Sequence, residues 1–137
     1  GTVAESAETI EALIRSEPAK DVILAGFSQG AAMALHIGLR WNAELPQRLR
    51  GVLMMSGYLL ESNDDPCPKS SREVPVGLFH GTADQVVPFS AAERTVEVLQ
   101  GSGYAPTLNK YPGLEHSVSD QEIGDVFEWL KLHSCQD

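Results

Sequence analysis

The stretch "DVILAGFSQGAAMALHIGL", residues 21–39, places a serine between two glycines where two unlike runs meet. Before it, Val22 to Phe27 are a short apolar run without alternation, as expected of a strand covered on both faces in a parallel sheet. After it, Gly30 to Trp41 read as a helix rich in small residues, able to pack closely on that sheet. A nucleophilic serine must present its hydroxyl beyond the sheet edge, which takes a sharp strand-to-helix turn with strained backbone. Gly26 and Gly30 are expected to remove the side chains that would clash in that turn. The turn also brings Ser28 to the helix N-terminus, where the backbone N–H of Gln29 is free to stabilise a developing oxyanion. Alone, G-x-S-x-G fits a glycine-rich helix entry capped by serine equally well.

The alternation of strand and helix continues along the chain. Upstream, Val3, Ala7, Ile10, Leu13 and Ile14 recur at helical spacing and predict an amphipathic helix that ends near Pro18. Downstream, "LRGVLMMSG" (49–57) predicts a second buried strand, and the polar segment "ESNDDPCPKSSRE" (61–73) has no apolar face to bury and predicts a loop. "VPVGLFHG" (74–81) predicts a third strand. The helix after it, 90–103, is opened by a Ser90-x-x-Glu93 capping box and closed by Gly101. "PTLNKYP" (106–112) predicts a fourth strand. A second capping box, Ser119-x-x-Glu122, opens the last helix, whose apolar face is expected to be Ile123, Val126, Phe127 and Leu130. This pattern predicts an α/β fold: one domain over residues 1–137, with a mostly parallel sheet, right-handed crossovers and flanking helices.

In such a sheet, functional groups gather outside the carboxyl ends of the strands. The segments there are "GFSQG", "SGYLL", "HGTADQVVP" and "GLEHS". Ser28 needs a base to take its proton, and the base needs an orienting carboxylate. Asp84 lies in the turn just past the third strand, and His116 lies in the loop before the last helix. The order Ser, Asp, His is the one found when this triad is built on an α/β-hydrolase sheet. Other groups have plainer readings. His36 is a helix-face residue, His133 falls in a frayed last turn, and His80 is placed for a structural hydrogen bond to the Asp84 turn. Asp64 and Asp65 sit in the polar loop, and the side chain of Glu115 is expected to diverge from its neighbour His116. For Asp84 itself the plain alternative is an Asx-type turn.

A formal charge of −9, from 19 acidic and 10 basic residues, excludes the basic footprint of a nucleic-acid binder and charge-driven binding to anionic lipid. Cys67 and Cys135 are far apart, in no metal or redox spacing, and read as free thiols in a reducing compartment. No stretch approaches the roughly 18 consecutive apolar residues of a membrane span, and the first residues lack the basic and apolar regions of a secretory signal. A soluble, cytoplasmic protein without stable membrane insertion is expected. No metal or organic cofactor is needed by a serine mechanism, and no ligand cluster suggests one.

Taken together, "GFSQGAAMAL", "LRGVLMMSGYLL", "PVGLFHGTADQVVPF" and "YPGLEHSVSDQEIGDVFEWL" resemble the carboxyl-terminal part of the phospholipase/carboxylesterase family of α/β-hydrolases, from Val22 to Leu132. That family includes acyl-protein thioesterases and lysophospholipases. The resemblance implies removal of acyl groups from cysteine thioesters in proteins, from lysophospholipids or from small esters. It makes Ser28 the nucleophile, His116 the base and then acid, and Asp84 the orienter, with Gln29 giving one oxyanion N–H. The apolar residue two after the acid lines the family's acyl channel, and here that residue is Val86.

The chain departs from the family in one respect. Family members carry further strands before the nucleophile strand, and an H-G-x-G-D loop that supplies a second oxyanion donor, whereas nothing of that kind precedes Val22. The expectation is a fragment or short form whose strand 22–27 has an open edge, an aggregation or partner-binding site unless a second copy or a partner covers it. The competing reading is a weakly active or inactive remnant that binds an acyl chain or serves as an interaction module.

Overall fold

The computed structural model describes residues 9–10, 20–41, 44–60 and 73–134. Its elements are β1 (Asp21–Phe27), α1 (Gln29–Leu39), β2 (Arg48–Met55), β3 (Val76–Gly81), α2 (Phe89–Gly101), β4 (Pro106–Tyr111) and α3 (Asp120–Ser134). Thr9 and Ile10 are helical, and the rest of the predicted first helix lies outside the described residues, as do Asp64, Asp65, Cys67 and Cys135. No helix among the described residues is long and apolar enough to cross a membrane.

The four strands form one sheet in the order β1-β2-β3-β4, every pair parallel. All four carboxyl ends therefore emerge on one side. Among the described residues β1 pairs only with β2, and it is the least covered strand: Ala25 and Phe27 are exposed, Val22 and Leu24 half-buried. The apolar runs have a simple cause in the central strands. Val52 and Met54 of β2 point into a core shared with Leu35 of α1 and Leu99 of α2, while Leu53 between them points to the opposite face, with Phe79, Tyr111 and Trp129. Successive side chains thus serve two cores, so no polar alternation survives.

Trp129 fixes how α3 lies on the sheet. A Cβ on Gly51 of β2 would come within 2.7 Å of its indole, and one on Gly77 of β3 within 2.6 Å. Two glycines on adjacent strands make the slot that the ring crosses, so the face of α3 that turns inward is Glu122, Val126 and Trp129. Of the expected face, Val126 and Leu130 pack inward, whereas Ile123 and Phe127 are 42% and 62% exposed. α3 carries apolar residues on two faces, and only the place where the large ring fits chooses between them. The His133 ring packs 4.2 Å from that of Trp129, and burial lowers its pKa, so this last turn is packed rather than frayed.

The helix ends also differ from expectation. α2 starts at Phe89 with Pro88 as its cap, so Ser90 lies inside the helix and forms no capping box. It closes at Gly103 rather than Gly101: Gly103 adopts φ 94°, its N–H bonds the Gln100 carbonyl and the Tyr104 N–H bonds the Leu99 carbonyl. That is a Schellman closure, with Tyr104 and Leu99 both in the core. At α3 the Glu122 N–H does donate to Ser119 Oγ at 3.1 Å. The reciprocal half of the box fails, because the Glu122 carboxylate is buried with neither oxygen hydrogen-bonded. Burial pushes its pKa up; the Ser119 N–H, near the carboxylate but outside hydrogen-bond geometry, offsets part of this, and the charge of Asp125 adds to it.

Gly77→Ala is expected to lower stability by about 1–3 kcal/mol through overpacking against Trp129, read as a fall in the urea midpoint. Glu122 keeps its proton in the fold at pH values where the unfolded chain has released it, so its contribution declines as pH rises above about 4.3. Glu122→Gln is therefore expected to melt at a higher temperature than wild type at pH 7 and at a similar one at pH 4. A lower melting temperature at pH 7 would mean that the charged carboxylate is welcome where it sits.

Candidate active site

Ser28 stands between β1 and α1 with φ 57° and ψ −118°, a conformation that side chains resist. Its N–H donates to the Met55 carbonyl at 2.8 Å, and its carbonyl accepts from Ala31 and Ala32, which starts α1. The hydroxyl makes no capping bond, so the plain reading of a capping serine does not hold. Oγ instead lies 3.0 Å from His116 Nε2. A Cβ on Gly26 would run into the Gly30 carbonyl group, so only glycine lets this turn close. At Gly30 a Cβ would meet nothing within 4 Å, and nothing in the structure explains the glycine there.

Asp84 follows β3, with its side chain fully buried. Its two oxygens do different work. Oδ1 accepts from the Val86 N–H at 2.9 Å and the Val87 N–H at 2.8 Å, which is the Asx-type turn. Oδ2 is left to accept from His116 Nδ1 at 2.7 Å. The turn and the pairing with His116 are one arrangement. Burial opposes the charged form, but the bonds from His116, Val87 and Val86, with the His116 charge, outweigh it and hold the carboxyl below its usual range.

His116 is carried on the loop between β4 and α3, and that loop is tied to the Asp84 loop at three points. Thr82 N–H bonds the Tyr111 carbonyl, Ala83 N–H bonds the Leu114 carbonyl, and Gly113 N–H bonds Thr82 Oγ1. Phe27, just before Ser28, lays its ring 4.8 Å from the imidazole. A carboxylate only accepts, so the Nδ1 facing it bears the proton and Nε2 offers its lone pair to the Ser28 hydroxyl. The side chain is 18% exposed, open enough for a reacting group to approach.

The structure thus brings Ser28, His116 and Asp84 into one hydrogen-bonded line. Gln29 is the first residue of α1, so its N–H has no partner within the helix. Val86 is 68% exposed beside Asp84. His36 is on the α1 face, bonded by Arg40, and His80 bonds the Val87 carbonyl. The Phe27 contact and the ties through Thr82, Gly113 and Leu114 left no sequence signal, because they depend on how two loops far apart in the chain meet. Among the described residues no group of three or more His, Cys, Asp or Glu is placed to hold a metal.

A parallel sheet in which a Gly-x-Ser-x-Gly turn, an aspartate and a histidine follow the strands in this order is of the α/β-hydrolase type. The chain belongs to the phospholipase/carboxylesterase family, whose sequence model matches residues 1–134. It is 34% identical over 135 residues to acyl-protein thioesterase 1 of Debaryomyces hansenii, covering 92% of this chain and 56% of that protein. It is 37% identical over 114 residues to acyl-protein thioesterase 1 of Gibberella zeae, covering 80% of this chain and 47% of that one. The crystal structure of Arabidopsis thaliana SOBER1 superposes with a TM-score of 0.82 at 28% identity, over 96% of this chain and 64% of SOBER1. The chain therefore spans about half the length of the curated relatives it matches.

The lowered pKa of Asp84 carries a sign. Its contribution is complete above the unfolded value of about 3.9 and is lost as pH falls through the lower folded value. Asp84→Asn is expected to flatten the dependence of unfolding free energy on pH between roughly 2 and 4, measured by denaturant titration. An unchanged slope would mean that Asp84 is not the carboxylate whose protonation weakens the fold.

Proposed function

We propose that the chain carries the active site of a serine hydrolase that cleaves acyl thioesters or carboxylic esters through an acyl-enzyme. The observation that carries this reading is the line from Asp84 Oδ2 to His116 at 2.7 Å and from His116 to Ser28 Oγ at 3.0 Å. It is supported by membership of a family whose relatives include proteins named acyl-protein thioesterase and carboxylesterase.

In the first half-reaction His116 Nε2 takes the proton from Ser28 as Oγ attacks the acyl carbonyl carbon. Asp84 holds the imidazole in the required tautomer and stabilises the imidazolium that forms. The Gln29 N–H faces the tetrahedral oxyanion. His116 then passes its proton to the departing thiolate or alkoxide, and the acyl group stays on Ser28. In the second half-reaction His116 takes a proton from water as the water oxygen attacks the acyl carbon, then returns that proton to Ser28 Oγ as the acyl–Oγ bond breaks, and a carboxylic acid leaves. Val86 offers exposed apolar surface beside this site to the alkyl chain of the acyl group. The substrate class is an acylated protein or a lipid or small carboxylic ester.

Fluorophosphonate labelling read by intact mass tests the assignment. One adduct is expected on wild type, none on Ser28→Ala, and labelling slowed by about 10²-fold or more on His116→Ala. A folded wild type that takes no label, or a Ser28→Ala variant that labels equally, would overturn it.

A further inference from the structure

His80 is 1% exposed at the carboxyl end of β3, and the chemistry above gives it no task. Its Nε2 lies 2.7 Å from the Val87 carbonyl oxygen and 3.6 Å from Asp84 Oδ2. A carbonyl only accepts, so Nε2 bears the hydrogen and donates it to Val87. Val87 is thereby held at both its polar groups: its N–H grips Asp84 Oδ1 at 2.8 Å, and its carbonyl is gripped by His80. Phe89 stands edge-on to the imidazole at 5.8 Å and packs the ring in place.

The outer part of this turn has little else to hold it. Gln85, Val86 and Pro88 are exposed, while Val87 is 6% exposed and needs a partner for its carbonyl. A buried carbonyl without a hydrogen bond is unfavourable, so the turn would move to wet it and would carry Asp84 with it. We propose that His80 is a positioning residue: its bond to the Val87 carbonyl fixes the Asp84–Val87 turn, and so aims Asp84 Oδ2 at His116 and the imidazole at Ser28. Its effect on rate rests on the hydrolase reading, whereas its effect on the geometry does not.

Nitrogen-15 NMR of the histidines in the wild-type chain comes first and should show His80 with its hydrogen on Nε2. The far-downfield proton resonance of His116 Nδ1–H then reports its bond to Asp84, beside fluorophosphonate labelling rates and melting temperatures. His80→Leu is expected to shift or broaden that resonance and to slow labelling about 10- to 100-fold. His80→Gln, whose amide nitrogen stands about where Nε2 does, should restore most of both, which a purely packing role would not require. A His80 hydrogen on Nδ1 would overturn the proposal. So would a folded His80→Leu with unchanged resonance and labelling, or a His80→Gln as impaired as His80→Leu at equal melting temperature. If His80→Leu does not fold, the wild-type tautomer and the His80→Gln resonance decide. If wild type takes no label, the hydrolase reading fails and the tautomer and resonance still decide the role of His80.

Discussion

The hydrogen bond from the Ser28 N–H to the Met55 carbonyl holds a backbone turn that the residue itself resists. A side chain at φ 57° stores strain of order 1–3 kcal/mol, which persists only where the surroundings leave no alternative. The parallel register supplies that constraint, because Phe27 pairs with Met55 and the next residue meets its carbonyl. The same step recurs across the sheet: Met55 pairs with Phe79 and the Ser56 N–H bonds the Phe79 carbonyl, with Ser56 also at positive φ. Gly81 pairs with Tyr111, and the Thr82 N–H bonds the Tyr111 carbonyl. These three strand exits are each tied to the strand beside them, so the exits keep fixed spacing and the loops that carry Ser28, Asp84 and His116 inherit it.

Two buried carboxylates show how local donors decide ionisation. Asp84 is met by two backbone N–H groups and an imidazole, and its pKa falls although burial opposes that. Glu122 is met by no hydrogen bond and lies near Asp125, and its pKa rises. Both side chains are out of water, so burial alone does not separate them. Three donors compensate the lost solvation of a carboxylate, and their absence leaves the neutral acid as the favoured form. Only the first arrangement keeps the negative charge that an imidazolium on His116 would face.

Much of this was legible in the chain. The apolar runs at 49–57 and 74–81 form strands because a parallel sheet buries both of their faces, whereas the run at 22–27 forms a strand that the described residues cover only in part. That Ser28, Asp84 and His116 lie near one another was legible because residues following the strands of a parallel sheet all emerge at one end of it. The inward face of α3 was readable only in part: Val126 and Leu130 pack inward as expected, but Ile123 and Phe127 are as apolar as Trp129 and face outward. The cap of α2 was not readable: Ser90 lies within the helix and Pro88 caps it.

The sequence by itself determined the strand and helix types, the order of the three site residues and the need for glycine at 26, because these follow from periodicity, backbone sterics and the direction of the chain. The tertiary structure alone decided how α3 is rotated, which side chain caps or fails to cap, and how Phe27 and the ties of Thr82 and Ala83 to Tyr111 and Leu114 surround the site. Those features depend on contacts between segments far apart in the chain. Such contacts are set by where one large ring or one buried carbonyl finds its partner, and no local pattern records that.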